Sequence, residues 1–178
     1  FGGQWTNSTI VGSGNTVTVE QFDEWNEAYV RSLAGDNNDV TFSQDGFYNV
    51  FDMTELVGDD NTINMSVVGG GARFNFAVFG YGNDIMVEQI GDDNIFEFGV
   101  FEGDDETVIV QQIGSGNLAT VDTLGSAVNN YTIIQEGNGN EGYAGSVGLF
   151  NNFTVEQTGD DNIGSTVNLN GVVNNVQI

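Results

Sequence analysis

The 178-residue chain has no Cys, no His and no Pro, and its only cationic side chains are Arg31 and Arg73. Without Cys, neither disulfides nor a thiolate zinc site can hold the fold. Without His, the commonest general base and transition-metal ligand is gone. Two cations against 26 acidic residues give a formal charge of −24. Phosphate recognition needs a basic patch, so a nucleic-acid partner is excluded, and anionic membrane surfaces are disfavoured for the same reason. No run approaches 18 apolar residues, so membrane insertion through a helix is not expected. No signal-peptide pattern is read in the chain, and its opening at Phe1 is compatible with a processed mature protein.

What is present is apolar, small and amide-rich. Hydrophobic residues make up 39%, too many for a disordered acidic tail, and there are 26 Gly. Pro cannot donate to a β ladder, so its absence suits a chain built of strands and tight turns. The length fits one domain or one repeat array.

The chain repeats itself. Gln21, Gln44, Gln89, Gln112, Gln135 and Gln157 fall at steps of 22–23 residues or twice that, with Val67 filling the missing place. Seven copies follow, over 15–37, 38–60, 61–82, 83–105, 106–128, 129–150 and 151–173. Residues 1–14 read as an N-terminal half-coil and 174–178 as an incomplete C-terminal coil. Each copy has two arms. The first opens at Asn15, Asn38, Asn61, Asn83, Glu106, Asn129 or Asn151 and alternates apolar with polar residues, as in Ile85, Val87 and Gln89. The second opens eleven residues later, at Asn26, Asn49, Ala72, Asn94, Asn117, Asn140 or Asn162. A large apolar residue closes it: Leu33, Leu56, Phe79, Phe101, Leu124, Val147 or Leu169.

Period-2 alternation over about five residues means a half-buried strand, and the Gly and Asn between arms supply turns. A strand–turn–strand unit of this size cannot bury its own apolar face, but stacked copies can. The expected fold is therefore all-β: a β-solenoid of seven coils whose like strands pair in parallel and in register, about 4.8 Å apart, as in cross-β stacking. Parity turns each Gln inward beside the apolar pair. A buried amide needs partners along the stack, so the six Gln are expected to form a ladder. Asn26, Asn49, Asn94, Asn117, Asn140 and Asn162 are expected to form another at the corners, where Asn tolerates left-handed geometry and bonds to nearby backbone.

The recurring pattern N-x5-Q-x-G-x2-N-x-A resembles the curlin repeat, S-x5-Q-x-G-x2-N-x-A-x3-Q. Glu106–Val128 carries it through Gln112, Gly114, Asn117 and Ala119, and Asn83–Asp105 through Gln89, Gly91 and Asn94. The resemblance spans residues 15–173. The opening Ser is replaced by Asn or Glu, and the second Gln is missing at Ser32, Glu55, Val78, Val100, Thr123, Ser146 and Asn168. The chain thus looks like a divergent curlin. The resemblance implies a secreted structural subunit of curli, the extracellular amyloid fibre of bacterial biofilm matrix. Its partners would be further copies of itself, with a related nucleator subunit and a secretion channel. No enzymatic activity is expected.

Both ends read as open edges. The half-coils at the two ends predict head-to-tail polymerisation through Trp5, Ile10, Asn174, Val176 and Ile178, with a shared composite coil and an axial advance of about eight coils, roughly 38 Å. No cofactor is required. The acidic turns at 58–61, 91–94, 103–106 and 159–162 present oxygen donors of the kind Ca²⁺ and other cations take. Like-placed turns are two or three coils apart, about 10–14 Å, beyond a Debye length at physiological salt, so one ion cannot bridge them. A turn signal with spread-out repulsion is the plainer reading. The rival to a fibre subunit is a soluble β-solenoid binding module, either ice-binding or a calcium-dependent adhesin. The outward row Thr18, Thr41, Asn64, Met86, Ile109, Thr132 and Thr154 is too interrupted for a flat Thr array.

Overall fold

Alternating residues interrupted at Gly and Asn fold as strands alone; the described residues contain no helix. The computed structural model describes residues 4–7, 9–22, 25, 27–46, 48, 50–68, 71–91, 93–101, 103–114, 116–159, 161–168 and 175–177. Strands β1 (Gln4–Asn7) and β2 (Ile10–Val11) come first. The first arms then form β3 (Thr16–Gln21), β5 (Asp39–Gln44), β7 (Thr62–Val67), β9 (Asp84–Glu88), β11 (Thr107–Gln111), β13 (Asn130–Gln135), β15 (Asn152–Gln157) and β17 (Asn175–Gln177). The second arms form β4 (Glu27–Ala34), β6 (Phe51–Val57), β8 (Phe74–Phe79), β10 (Phe96–Phe101), β12 (Thr120–Ala127), β14 (Tyr143–Leu149) and β16 (Ser165–Asn168).

Odd strands from β3 onward make one 8-stranded sheet; even strands, with β1, make a 9-stranded one. Strand β2 belongs to the second sheet through its pairing with β4. Every pairing is parallel, and partners lie one repeat apart: Val17 beside Val40, Val40 beside Ile63, Ile63 beside Ile85. The molecule is a β-solenoid with a turn of about 23 residues. Register holds because a one-residue slip would turn every apolar rung outward.

The core is the seam between the sheets. The 8-stranded sheet contributes the rows beginning Val40, Ile63, Ile85 and Phe42, Met65, Val87; the other contributes Phe51, Phe74 and Phe96. Phe42 meets Phe51 across the seam at 4.1 Å between ring centres, and Phe51 meets Phe74 along the stack at 5.9 Å. Each such buried side chain contributes about 1.5–3 kcal/mol.

The closing position of the second arm differs from expectation. Leu33 and Leu56 are buried, but Phe79 is half-buried and Leu124 is 53% exposed, while Thr123 lies inside. Register explains it: Leu33 pairs Leu56, Leu56 pairs Val78, and Val100 pairs Thr123. A register shift between Met53 and Leu56 marks the change. The first two coils take up an extra residue before the closing Leu. From β8 onward strict alternation continues, so the residue before the large apolar one turns inward.

Candidate functional site: amide ladders and stacking edges

The functional feature of this fold is the column of side-chain amides that joins coil to coil. Gln89 Nε2 donates to Gln112 Oε1 at 2.6 Å, Gln112 to Gln135 at 2.6 Å, and Gln135 to Gln157 at 2.7 Å. Each Gln Nε2 also donates to the carbonyl six residues on, across the turn. Examples are Gln21 to Glu27 at 2.9 Å, Gln89 to Ile95 at 2.8 Å and Gln135 to Glu141 at 2.9 Å. Gln44 makes the same bond to Val50 at 3.3 Å. The Gln therefore clamps the two arms of its own coil as well as neighbouring coils. Strand parity finds the inward amide but not this second bond, which depends on the path of the turn.

The column is interrupted at Val67 and, on the facing arm, at Ala72, both buried and apolar. With no amide at Val67 to donate upward, Gln89 Oε1 has no hydrogen-bond partner, and Gln44 Oε1 at the other side of the column also lacks one.

Two further ladders run along the two corners. At the corner entering the second arm, Asn117 Nδ2 donates to Asn94 Oδ1 at 2.7 Å, Asn140 to Asn117 at 2.5 Å, and Asn162 to Asn140. The same Nδ2 groups of Asn94, Asn117 and Asn140 also donate to the carbonyls of Gly91, Gly114 and Gly137. Asn26 and Asn49, expected in this column, lie outside the described residues.

The corner entering the first arm carries the longer ladder. Asn15 donates through both its backbone N–H and Nδ2 to Asn38 Oδ1, each at 2.9 Å. Asn38 does the same to Asn61, both at 2.9 Å, and Asn61 to Asn83 at 3.0 and 2.9 Å. The column continues through Glu106, Asn129 and Asn151. The backbone N–H fixes which side-chain atom is oxygen, so the donor direction along the column is set. It runs from lower to higher residue number here and in the opposite sense at the other corner.

Both corners carry the four-residue pattern G-x-x-N, so the same acidic motif occurs on both edges, but the backbones differ: Gly35 and Gly58 have φ of 134° and 140°, whereas Gly114 and Gly137 are outside the left-handed region. The Gly lies against the Gly of the coil below: a Cβ on Gly137 would overlap the Gly114 carbonyl oxygen, and one on Gly58, at φ 140°, the Gly35 carbonyl. The second residue faces the coil above. Asp36 Oδ1 accepts the Asp59 N–H at 3.0 Å, and Asp59 Oδ1 accepts the Tyr81 N–H at 2.9 Å. At the corner entering the first arm the third residue takes the left-handed conformation: Asn37, Asp60, Asp105, Val128 and Phe150 have φ of 53–62°, and Gly14 and Gly82 have 69° and 64°. The expectation that the ladder Asn itself is left-handed is thus corrected. At the first-arm corner it is the residue before it, leaving the Asn side chain free to reach along the stack.

Among the described residues, no group of three acidic side chains is placed to hold a metal ion. No helix there is long and apolar enough to cross a membrane.

Among the described strands, four are outermost in the two sheets. Strands β3 and β17 are outermost in one sheet, and β1 and β16 in the other. Trp5 lies in β1, paired with Ala28, and Val176 in β17, paired with Phe153. Ile10 pairs Leu33 and is half-buried. Asn174 and Ile178 lie outside the described residues.

Such a parallel solenoid, with ladders of buried amides and open strand edges, is the architecture of a self-stacking repeat protein. The curlin associated repeat family matches residues 12–46, which hold the first coil and the opening arm of the second. The match supports a curlin-like repeat over these residues, and parallel pairing one repeat apart continues from the matched coil through the rest of the stack. No curated protein and no solved structure matches it.

Proposed function

We propose that this chain is the structural subunit of an extracellular amyloid-like fibre, of the kind that builds biofilm matrix and adheres to surfaces. The observation that carries this reading is the in-register parallel stack, whose amide ladders run along it toward the outermost described strands. An open edge of this kind templates another chain. A heterologous contact that does not close gives a filament.

In the fibre, β17 of one subunit supplies the strand below β3 of the next, and β1 and β2 of the next supply the strand above β16 of the first. Trp5, Ile10, Asn174, Val176 and Ile178 then form the joint. The fixed donor direction of the first-corner ladder favours head-to-tail over tail-to-tail joints, because only the former brings donors to acceptors. The work is mechanical, and the curlin repeat is structural rather than enzymatic. A dedicated secretion channel and a nucleating relative are the partners this role calls for, and Ca²⁺ is not required by it.

The test is to incubate purified protein at neutral pH and follow it by electron microscopy and fibre diffraction. Unbranched fibres with a reflection at 4.7–4.8 Å are expected. Protein still monomeric after days would favour a soluble binding module instead.

A further inference from the structure

One rung of the first-corner ladder is not an amide. Glu106 stands in line with Asn83 below and Asn129 above, and it is 0% exposed. Asn83 donates its N–H to Glu106 Oε2 at 3.1 Å and its Nδ2–H to Oε1 at 3.2 Å. Glu106 passes its own N–H to Asn129 Oδ1 at 2.7 Å.

An Asn rung does more than this. Asn38 Nδ2 donates to the Gly35 carbonyl at 2.8 Å and to Asn61 Oδ1 at 2.9 Å. An ionised carboxylate has no proton for either bond. Instead, Asn129 Nδ2 reaches down to the Gly103 carbonyl at 3.4 Å.

The surroundings are also acidic. Asp84 follows Asn83 on the coil below, Asp59 lies two coils below, and Asp104 and Asp105 belong to the same turn as Glu106. Tyr81 and Asp60 are the other titratable groups of the turns beneath it, whereas the turn above carries none. Burial, opposed by the Asn83 hydrogen bonds and reinforced by Asp84 and Asp59, pushes the carboxyl up to about 8.

We propose that Glu106 is a proton-operated rung: its protonated carboxyl supplies the donor that the ladder lacks there, and its ionisation loosens the fifth coil against the sixth, slowing fibre growth as pH rises. The growth half of this rests on the fibre reading above; the stability half does not.

The sign follows from linkage. The folded value lies above the ordinary 4.5, so the stabilisation is full below about 4.5 and is lost as pH rises toward about 8. The other acidic residues also respond to pH, so the rung is isolated by comparing wild type with Glu106→Gln, which keeps a permanent donor at this length.

Urea unfolding of both proteins is measured from pH 5 to 9. The folded-to-unfolded ratio of wild type should fall by about tenfold or more relative to Glu106→Gln, the effect of a single unit of differential protonation. Parallel profiles would overturn the proposal. Seeded elongation over the same range should slow for wild type and not for the variant; equal slowing would overturn the growth half. If neither protein forms fibres, the fibre reading fails while the unfolding comparison still judges the rung. If Glu106→Gln does not fold, NMR of the labelled Glu106 carboxyl in wild type decides. A midpoint near 8 supports the rung, and one near 4.5 refutes it.

Discussion

At the scale of single residues, the value of a rung depends on what it leaves unpaired. Replacing Gln112 by Leu would strand Gln135 Oε1 and one of the two Nε2 protons of Gln89 in the seam, where an unmet polar group costs about 1–3 kcal/mol. A fall of about 2 kcal/mol in urea unfolding is expected. The reverse holds at Val67, where a Gln would donate to the orphaned Gln89 Oε1. Val67→Gln should be neutral or stabilising by up to about 1 kcal/mol; a loss above that would mean the apolar interruption is itself required. Val128 is a β-branched residue at φ 61°, a conformation costing about 1–2 kcal/mol for such a side chain. Val128→Asn, matching Asn37 at the same turn position four coils earlier, should raise the unfolding midpoint. Inward Gln residues were legible from parity alone. Their bonds to the carbonyl six residues on were not, because period says nothing of how a turn folds back.

At the scale of the element, the turn is the unit that repeats most strictly. Gly137→Ala would drive a Cβ into the Gly114 carbonyl, and no rotamer relieves a backbone clash. Such a variant should lose the stacking of its coil, seen as lost protection from hydrogen exchange around Gln135 and Asn140. The strands were legible in number and register because alternation is unbroken in the first arms. The closing position of the second arm was not: an extra residue shifts phase before Leu33 and Leu56, and no shift occurs before Thr123. This yields a contrast. Leu56→Ala should cost about 2–5 kcal/mol as a buried cavity, whereas Leu124→Ser, on the exposed side, should stay within about 0.5 kcal/mol.

At the scale of the molecule, the fold is set by stacking and opposed by charge. In the proposed fibre, a formal −24 on each copy would bring like charges together with every subunit added. Salt shortens the Debye length, so lag times should shorten on going from low to physiological ionic strength, with divalent cations more effective than monovalent ones at equal concentration. Equal lags would show that charge does not limit assembly. The overall class was legible because a 23-residue period with inward amides admits few other structures. The role of the acidic pair Asp59–Asp60 was not legible: Asp59 caps the Tyr81 N–H of the coil above and Asp60 adopts left-handed geometry, both demands of the turn's backbone. The central claim is that copies stack head to tail in one continuous solenoid, and helical reconstruction of the fibre by cryo-EM tests it most directly. Strands perpendicular to the axis and an axial rise of about 38 Å per subunit, eight coils at strand spacing, are predicted. A rise near seven or nine coils, or strands running along the axis, would contradict it.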